Sequence, residues 1–262
     1  MEIWEYILLL LGGLMAGIIN TLAGNGSAIT LSILIFMGFP ADVSNATNRI
    51  GALAQTITAV FSLKRTPRTK MLFNDSYWFF IPSIIGSIVG AIIAVEIDPG
   101  LLKMIIGGIM LLLLITLVTN PKKWNIATDV SKNRKTWINA LLIFLVAIYG
   151  GFLQMGIGIM LLSILVLIAK YSLRDANIIK LVLAVTFVMP AFFVFLYTGG
   201  MEWIPGITLA VGQSIGAVIG ARYILFLPKA NLYVRWLLIV ILTVSSIVLL
   251  RIPEWMMGLF DL

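Results

Sequence analysis

The 262-residue chain contains no cysteine and no histidine. Without cysteine there is no disulfide, no thiolate nucleophile and no Cys-ligated metal. Without histidine the commonest catalytic base and metal ligand is missing as well. Charge is scarce: Asp, Glu, Lys and Arg make up 11% of the residues against 61% apolar ones, and the mean hydropathy is +1.09. A soluble domain carries about 25% charged residues, so this chain reads as a polytopic membrane protein. The 11 acids (Glu2, Glu5, Asp42, Asp75, Glu96, Asp98, Asp129, Asp175, Glu202, Glu254 and Asp261) map to loops or segment ends. That placement argues against a carboxylate relay through the membrane. No acid cluster has metal-ligand spacing, and there is no Gly-x-x-x-x-Gly-Lys-Ser/Thr run to cradle a nucleotide. Gly26-Ser27 lacks the Gly-x-Ser-x-Gly elbow of a serine hydrolase. No cofactor is expected, and an enzyme is not the leading reading. The net charge of +7 lies in the loops, so it reports topology and not a nucleic-acid partner.

What the chain does have is long apolar runs. A bilayer core of ~30 Å needs roughly 20 apolar residues in a helix. Candidate segments lie near 3–23, 27–38, 46–63, 76–96, 101–118, 137–154, 158–170, 176–197, 203–225 and 232–250. Segments 27–38 and 158–170 are too short to cross and read as half-helices or re-entrant pieces. The first segment is not a cleaved signal peptide, because it opens with Glu2 and Glu5 and no small-residue cleavage site follows. Fifteen of the 18 cations lie at four joins: 64–75, 119–135, around 172 and around 229. Arg49, Lys103 and Arg251 fall on the other side with most of the acids. By the positive-inside rule the first set is cytoplasmic and both termini are outside. All seven tryptophans (Trp4, Trp78, Trp124, Trp137, Trp203, Trp236, Trp255) stand at or near segment ends, as in an aromatic belt.

The chain also repeats itself. Gly86-Ser-Ile-Val-Gly90-Ala matches Gly212-Gln-Ser-Ile-Gly216-Ala 126 positions later, Gly24-Asn25-Gly26 matches Gly156-Ile157-Gly158 at 132, and Arg49 matches Lys180 at 131. Each half runs long segment, glycine pair, short segment, then three spans. The division is a first repeat at 1–118, a cytoplasmic linker at 119–135 and a second repeat at 136–262. The charge-derived topology runs the halves in opposite directions, which is the inverted repeat of many secondary transporters. The expected fold class is all-α.

Candidate binding residues follow from that architecture. If the arms before the glycine pairs dip into the membrane, both short helices begin deep inside it. A helix N-terminus offers unpaired N–H groups and about +0.5 charge, so it favours anions. Gly24, Asn25, Gly26, Gly156 and Gly158 shape those starts, and Ser27 is placed to cap its helix through the side-chain oxygen. Gly26 would let a ligand approach closely, whereas the Gly86/Gly90 and Gly212/Gly216/Gly220 series reads as helix packing. A cation at membrane depth is costly and marks a pathway, which singles out Arg49 and Lys180. Asn45, Asn48, Arg49 and Thr56 share one helix face about 100° wide, with Gln55 at its edge. The matching face around Lys180, with Ala184 and Phe187, is more apolar. Asn20 and Gln154 are polar and sit deep. The expected site is a midplane anion held by backbone N–H near Gly26, Ser27 and Gly158. Arg49 and Lys180 would balance its charge, and Asn20, Asn48 and Gln154 would orient it.

Gly13-Leu-Met-Ala-Gly17-Ile-Ile-Asn20-Thr-Leu-Ala-Gly24-Asn-Gly26-Ser-Ala resembles the first-half signature of the sulfite exporter TauE/SafE family, also called toluene sulfonate uptake permeases. Asn45-Ala-Thr47-Asn48-Arg49 is similar to its following Ala-x-x-Thr element. Gly150-Gly151-Phe-Leu-Gln154-Met-Gly156-Ile-Gly158 resembles the second-half signature, Asp175-Ala-Asn177-Ile-Ile-Lys180 the element after it, and Gly199-Gly-Met-Glu202-Trp203 the Gly-x-x-Asp/Glu-Trp turn. The likeness covers nearly the whole chain. The glycine run departs from the family pattern at Asn25, and the usual following proline is replaced near Ser32, which bears on loop shape and substrate choice. The resemblance implies a secondary permease for a small sulfur-containing anion such as sulfite, a sulfonate or sulfoacetate, working by alternating access. An intramembrane enzyme or a structural membrane subunit is the alternative. The expected partners are the anion and the lipid bilayer, with oligomeric state, transport direction and coupling ion left open.

Overall fold

The computed structural model describes residues 2–22, 24–63, 66–118, 129, 134–222, 239 and 243, and every element among them is helical. The linker 119–135 lies mostly outside the described residues. So do Trp124 and Trp255, and all of the segment 232–250 (with Trp236) except positions 239 and 243. Ten α-helices are seen among the described residues. They are α1 (Ile3–Leu22), α2 (Ser27–Phe36), α3 (Ala41–Ser62), α4 (Pro67–Ser76), α5 (Phe80–Glu96), α6 (Pro99–Val118), α7 (Trp137–Phe152), α8 (Ile157–Ser163), α9 (Leu173–Thr198) and α10 (Trp203–Arg222).

The helix starts follow local chemistry. Thr136 and Ser172 cap α7 and α9 by accepting the backbone N–H groups of Asn139 and Asp175. The join 64–75, expected as a charged loop, is instead mostly helix. Thr66 accepts the Thr69 N–H, Pro67 occupies the first turn, and α4 runs through a 3₁₀ turn at Tyr77–Phe79 into α5. The two short segments are short in the structure. α2 has 10 residues, and α8 has 7 before a π-helical turn at Ile164–Ile168.

Among the described residues four helices are long and apolar enough to cross a membrane: Ile3–Leu22, the continuous Pro67–Glu96, Leu173–Thr198 and Trp203–Arg222. α3 has 22 residues but is much more polar, and it buries Asn45, Asn48, Arg49, Gln55 and Thr56 against protein. α5 shows the opposite arrangement. Ile84, Ile85, Ile88, Val89 and Ile92 face outward, while Ser83, Gly86, Ser87 and Gly90 are buried. Apolar exposure with small buried residues is the pattern of helices that pack within lipid.

Packing joins the halves. α1 lies against α10 and α7 against α5, while α3 lies against α10 and α9 against α5. Exchanging α1 with α7, α3 with α9 and α5 with α10 leaves these four pairings unchanged. The close crossings depend on missing side chains. A Cβ on Gly17 would run into the Gln213 carbonyl, one on Gly216 into that of Leu14, and one on Gly90 into that of Ile148. The Gly86/Gly90 and Gly212/Gly216 series therefore brings backbone against backbone.

Candidate functional site

Two glycine turns meet inside the helix array. The chain turns into α2 at Gly24 and into α8 at Gly156, and both glycines take the left-handed conformation with φ of 75°. The turns are in direct contact: the Gly158 N–H donates to the Gly24 carbonyl at 3.3 Å, and a Cβ on Gly24 would strike the Gly158 Cα. Gln154, with φ of 66°, holds the same conformation without being glycine. Such backbone strain costs on the order of 1–3 kcal/mol and collects at functional sites.

The expected roles of Ser27 and of the turn N–H groups are corrected here. Gly26 is the N-cap of α2, Ser27 is its first residue, and no side chain caps this helix. The Gly26 N–H donates to Asn20 Oδ1 at 2.9 Å, while Asn20 Nδ2 donates to Gln55 Oε1 at 2.6 Å. Buried backbone donors are almost always paired, and Gly26 and Gly158 satisfy this within the protein. A Cβ on Gly26 would meet the Ala16 carbonyl, so this glycine lets α1 pack close to the turn.

Both deep cations are fully enclosed, and each reaches across to the other half. Arg49 of α3 closes the C-terminal end of α7. Its Nη1 donates to the Gly150 carbonyl at 2.7 Å and to Gln154 Oε1 at 3.3 Å. Its Nη2 donates to the Gly151 carbonyl at 2.8 Å and to Asn45 Oδ1 at 3.3 Å. The Phe195 ring lies 5.1 Å from the guanidinium carbon. Lys180 of α9 closes the end of α1 by donating to the carbonyls of Asn20 at 3.2 Å and Thr21 at 3.0 Å. A helix C-terminus carries about −0.5 charge, so each cation is half balanced by the end it caps. Among the described residues neither has a carboxylate partner. Charge of one sign is thus left in excess in the interior.

The unpaired polar atoms complete the picture. Both amide atoms of Asn25, Asn48 Nδ2, Arg49 Nε and Gln213 Nε2 are buried without a hydrogen-bond partner. Asn48 is tied to α2 through Oδ1, which accepts from the Thr30 hydroxyl at 2.5 Å. Gln213 stands where a Cβ on Gly51 would come within 2.5 Å of its Nε2. The structure therefore places Asn20, Gly24, Asn25, Gly26, Ser27, Asn48 and Arg49 with Gln154, Gly156 and Gly158 around the paired turns. Lys180 reaches the end of α1 through the Asn20 and Thr21 carbonyls. Thr30 and Gln213 were missed by sequence reasoning. The signal for Gln213 was its position inside the Gly212/Gly216 packing series, where a buried amide is out of place.

Carboxylates gather elsewhere. Arg68 of α4 pairs with Asp175 at the start of α9, and the Tyr171 hydroxyl donates to Asp75 at 3.3 Å. The Arg134 guanidinium stacks 4.2 Å above the Tyr171 ring. These cations come from the joins that carry most of the positive charge.

The model of the family described as Sulfite exporter TauE/SafE matches residues 9–249. The chain is similar to "Probable membrane transporter protein ORF9" of Sinorhizobium sp, with 25% identity over 245 residues, covering 94% of this chain and 92% of the relative. It is equally similar to "Probable membrane transporter protein YfcA" of Escherichia coli strain K12, with 25% identity over 239 residues and coverage of 90% and 86%. A "Probable membrane transporter protein" of Haemophilus influenzae shares 25% identity over 220 residues, with coverage of 81% and 82%.

Proposed function

Because the chain belongs to the sulfite exporter TauE/SafE family and is a multi-pass membrane transporter, we propose that it is a secondary permease for a small sulfur-containing anion such as sulfite, an organosulfonate or sulfoacetate. One observation carries this reading. Arg49 and Lys180 are both buried without a carboxylate partner among the described residues, and the buried unpaired donors include Arg49 Nε itself and Nδ2 of Asn48, the residue before it. An uncompensated buried cation is strongly unfavourable, and a bound oxyanion relieves it while filling the empty donors.

In this account the anion sits beside the paired glycine turns. Arg49 Nε and Asn48 Nδ2 donate to it, with Asn25 as a further partner. Arg49 and Lys180 supply charge, Asn20 and Gln154 hold the turns in place, and Gly24, Gly26, Ser27, Gly156 and Gly158 form the wall. The halves are inverted repeats, which supports alternating access, with the basic joins in the cytoplasm and both termini outside. The unchanged helix pairing on exchange of halves, and the cations capping each other's arms, support that symmetry.

Thermal shift of the detergent-purified protein against sulfite, thiosulfate, sulfate, sulfoacetate, taurine and carboxylate controls tests the substrate class. A ligand at 100 times its Kd stabilises by about 2.7 kcal/mol. A shift with carboxylates and none with sulfur anions would refute it. The chain has no cysteine, so single cysteines at Thr69 and Met201 test topology directly. The first is expected to label from the cytoplasm and the second from outside; labelling from one side would end the inverted arrangement.

A further inference from the structure

Asn25 interrupts the glycine run between Gly24 and Gly26 and is fully buried. Its backbone carbonyl accepts the Ala28 N–H at 3.2 Å, so the main chain belongs to the turn. Its side chain does not, because neither Nδ2 nor Oδ1 has a partner. A buried amide with both ends empty is rare. With both atoms unpaired, one donor group and one acceptor are open whichever way the amide is turned.

Two buried vacancies on α3 are different. Asn48 Nδ2 and Arg49 Nε are donors only, and a bare oxyanion satisfies them. That ion has no hydrogen to offer the Asn25 oxygen and would set lone pairs against lone pairs. We propose that the transported anion itself carries a hydrogen-bond donor, an O–H or N–H, and that Asn25 reads it together with an anionic oxygen. The substrate class is then a hydroxy- or amino-substituted sulfonate, or an inorganic sulfur oxyanion in its protonated form. Fully deprotonated, donor-free anions are bound more weakly. The proposal rests on the anion-site reading above and adds a criterion within it.

Isethionate and ethanesulfonate differ by one hydroxyl and make a matched pair of probes. Leaving a buried acceptor unsatisfied costs enough to weaken binding about tenfold. Titration of each into the purified full chain is expected to give isethionate the tighter Kd by about that factor. Asn25→Leu is expected to bring the ratio close to one. The melting temperature of Asn25→Leu without ligand is a second readout. Removing an amide that pairs with nothing in the protein should leave melting unchanged or raised, whereas a structural asparagine would lower it. Equal Kd values for the two sulfonates in the parent protein overturn the proposal, as does a lower melting temperature in the variant. If sulfite binds and neither sulfonate does, the comparison moves to sulfite on either side of its second ionisation, with Asn25→Leu as control. Protonated sulfite binding no tighter than the dianion then overturns the proposal. Binding of no sulfur anion at all is a separate result, which removes the anion site itself.

Discussion

The neighbourhoods of Arg49 and Lys180 share one plan, 131 positions apart, and differ in how much polar structure surrounds it. Each cation leaves its own half and closes the C-terminal end of the opposite half's first helix. Arg49 does so with four hydrogen bonds, two to carbonyls and two to side-chain oxygens, while Lys180 makes two, both to carbonyls. The planar guanidinium fork spans adjacent carbonyls and still has Nε to spare, whereas an ammonium is a point charge. Around Arg49 the α3 face is Asn45, Asn48, Gln55 and Thr56. Around Lys180 the α9 face is Asn177, Leu183, Ala184 and Phe187, the last three belonging to or packed against an extended apolar cluster. The two cation surroundings thus differ in polarity. The Arg49 side holds most of the polar vacancies, while the Lys180 side, with Asn177 Oδ1 as its one unpaired atom among the described residues, packs mainly as a core and contributes charge.

The comparison can be broken first by removing each cation. Arg49→Met strips two carbonyls and two amide oxygens of their donors, so its unfolding stability is expected to fall by about 3 kcal/mol or more. Lys180→Met is expected to fall by about 2 kcal/mol. Chemical or thermal denaturation of both variants ranks them, and a larger loss at Lys180 would reverse the assignment of the more elaborate side. The glycine turns give a sharper test at somewhat smaller scale. Gly24→Ala and Gly156→Ala each place a Cβ on a left-handed residue, costing about 1–2 kcal/mol. Gly24→Ala should cost more than that, because its Cβ also meets the Gly158 backbone. Equal melting temperatures for the pair would mean the turns do not touch in solution.

Binding by still-folded variants also discriminates the sides. Asn48→Leu removes an unpaired donor and is expected to weaken anion binding roughly tenfold. Asn177→Ala on α9 should leave it unchanged, and titration of the two variants decides. The smallest effect is at the rim. The Arg68 side chain is 45% exposed in its pair with Asp175, so Arg68→Gln should cost under about 1 kcal/mol. A larger drop in melting temperature would make α4 part of the core of the account.

The sequence made the glycine pairs and the paired cations legible because each is a local anomaly in an apolar chain: a short helix, or a charge where none is comfortable. It did not show what the cations touch. That Arg49 meets Gly150 and Gly151 depends on α3 passing the end of α7, a contact between residues a hundred positions apart that no spacing reports. The Gly26 N–H was misread for a nearer reason. Asn20, six residues earlier, folds back to accept it, so a deep polar residue that spacing offers to a substrate serves the backbone as well. The α4 helix was missed although Thr66-Pro67 is a good start signal, because the four cations around it read as a loop.

The central claim is that the excess positive charge beside Arg49 holds the anion. It is tested most directly by the dissociation constant of whichever sulfur anion gives the largest thermal shift, measured on folded parent protein, Arg49→Lys and Arg49→Gln. A charge-assisted hydrogen bond contributes about 1.5–3 kcal/mol, so Arg49→Gln is expected to bind roughly ten- to a hundredfold more weakly, with Arg49→Lys in between. Parent-like affinity in Arg49→Gln would contradict the account.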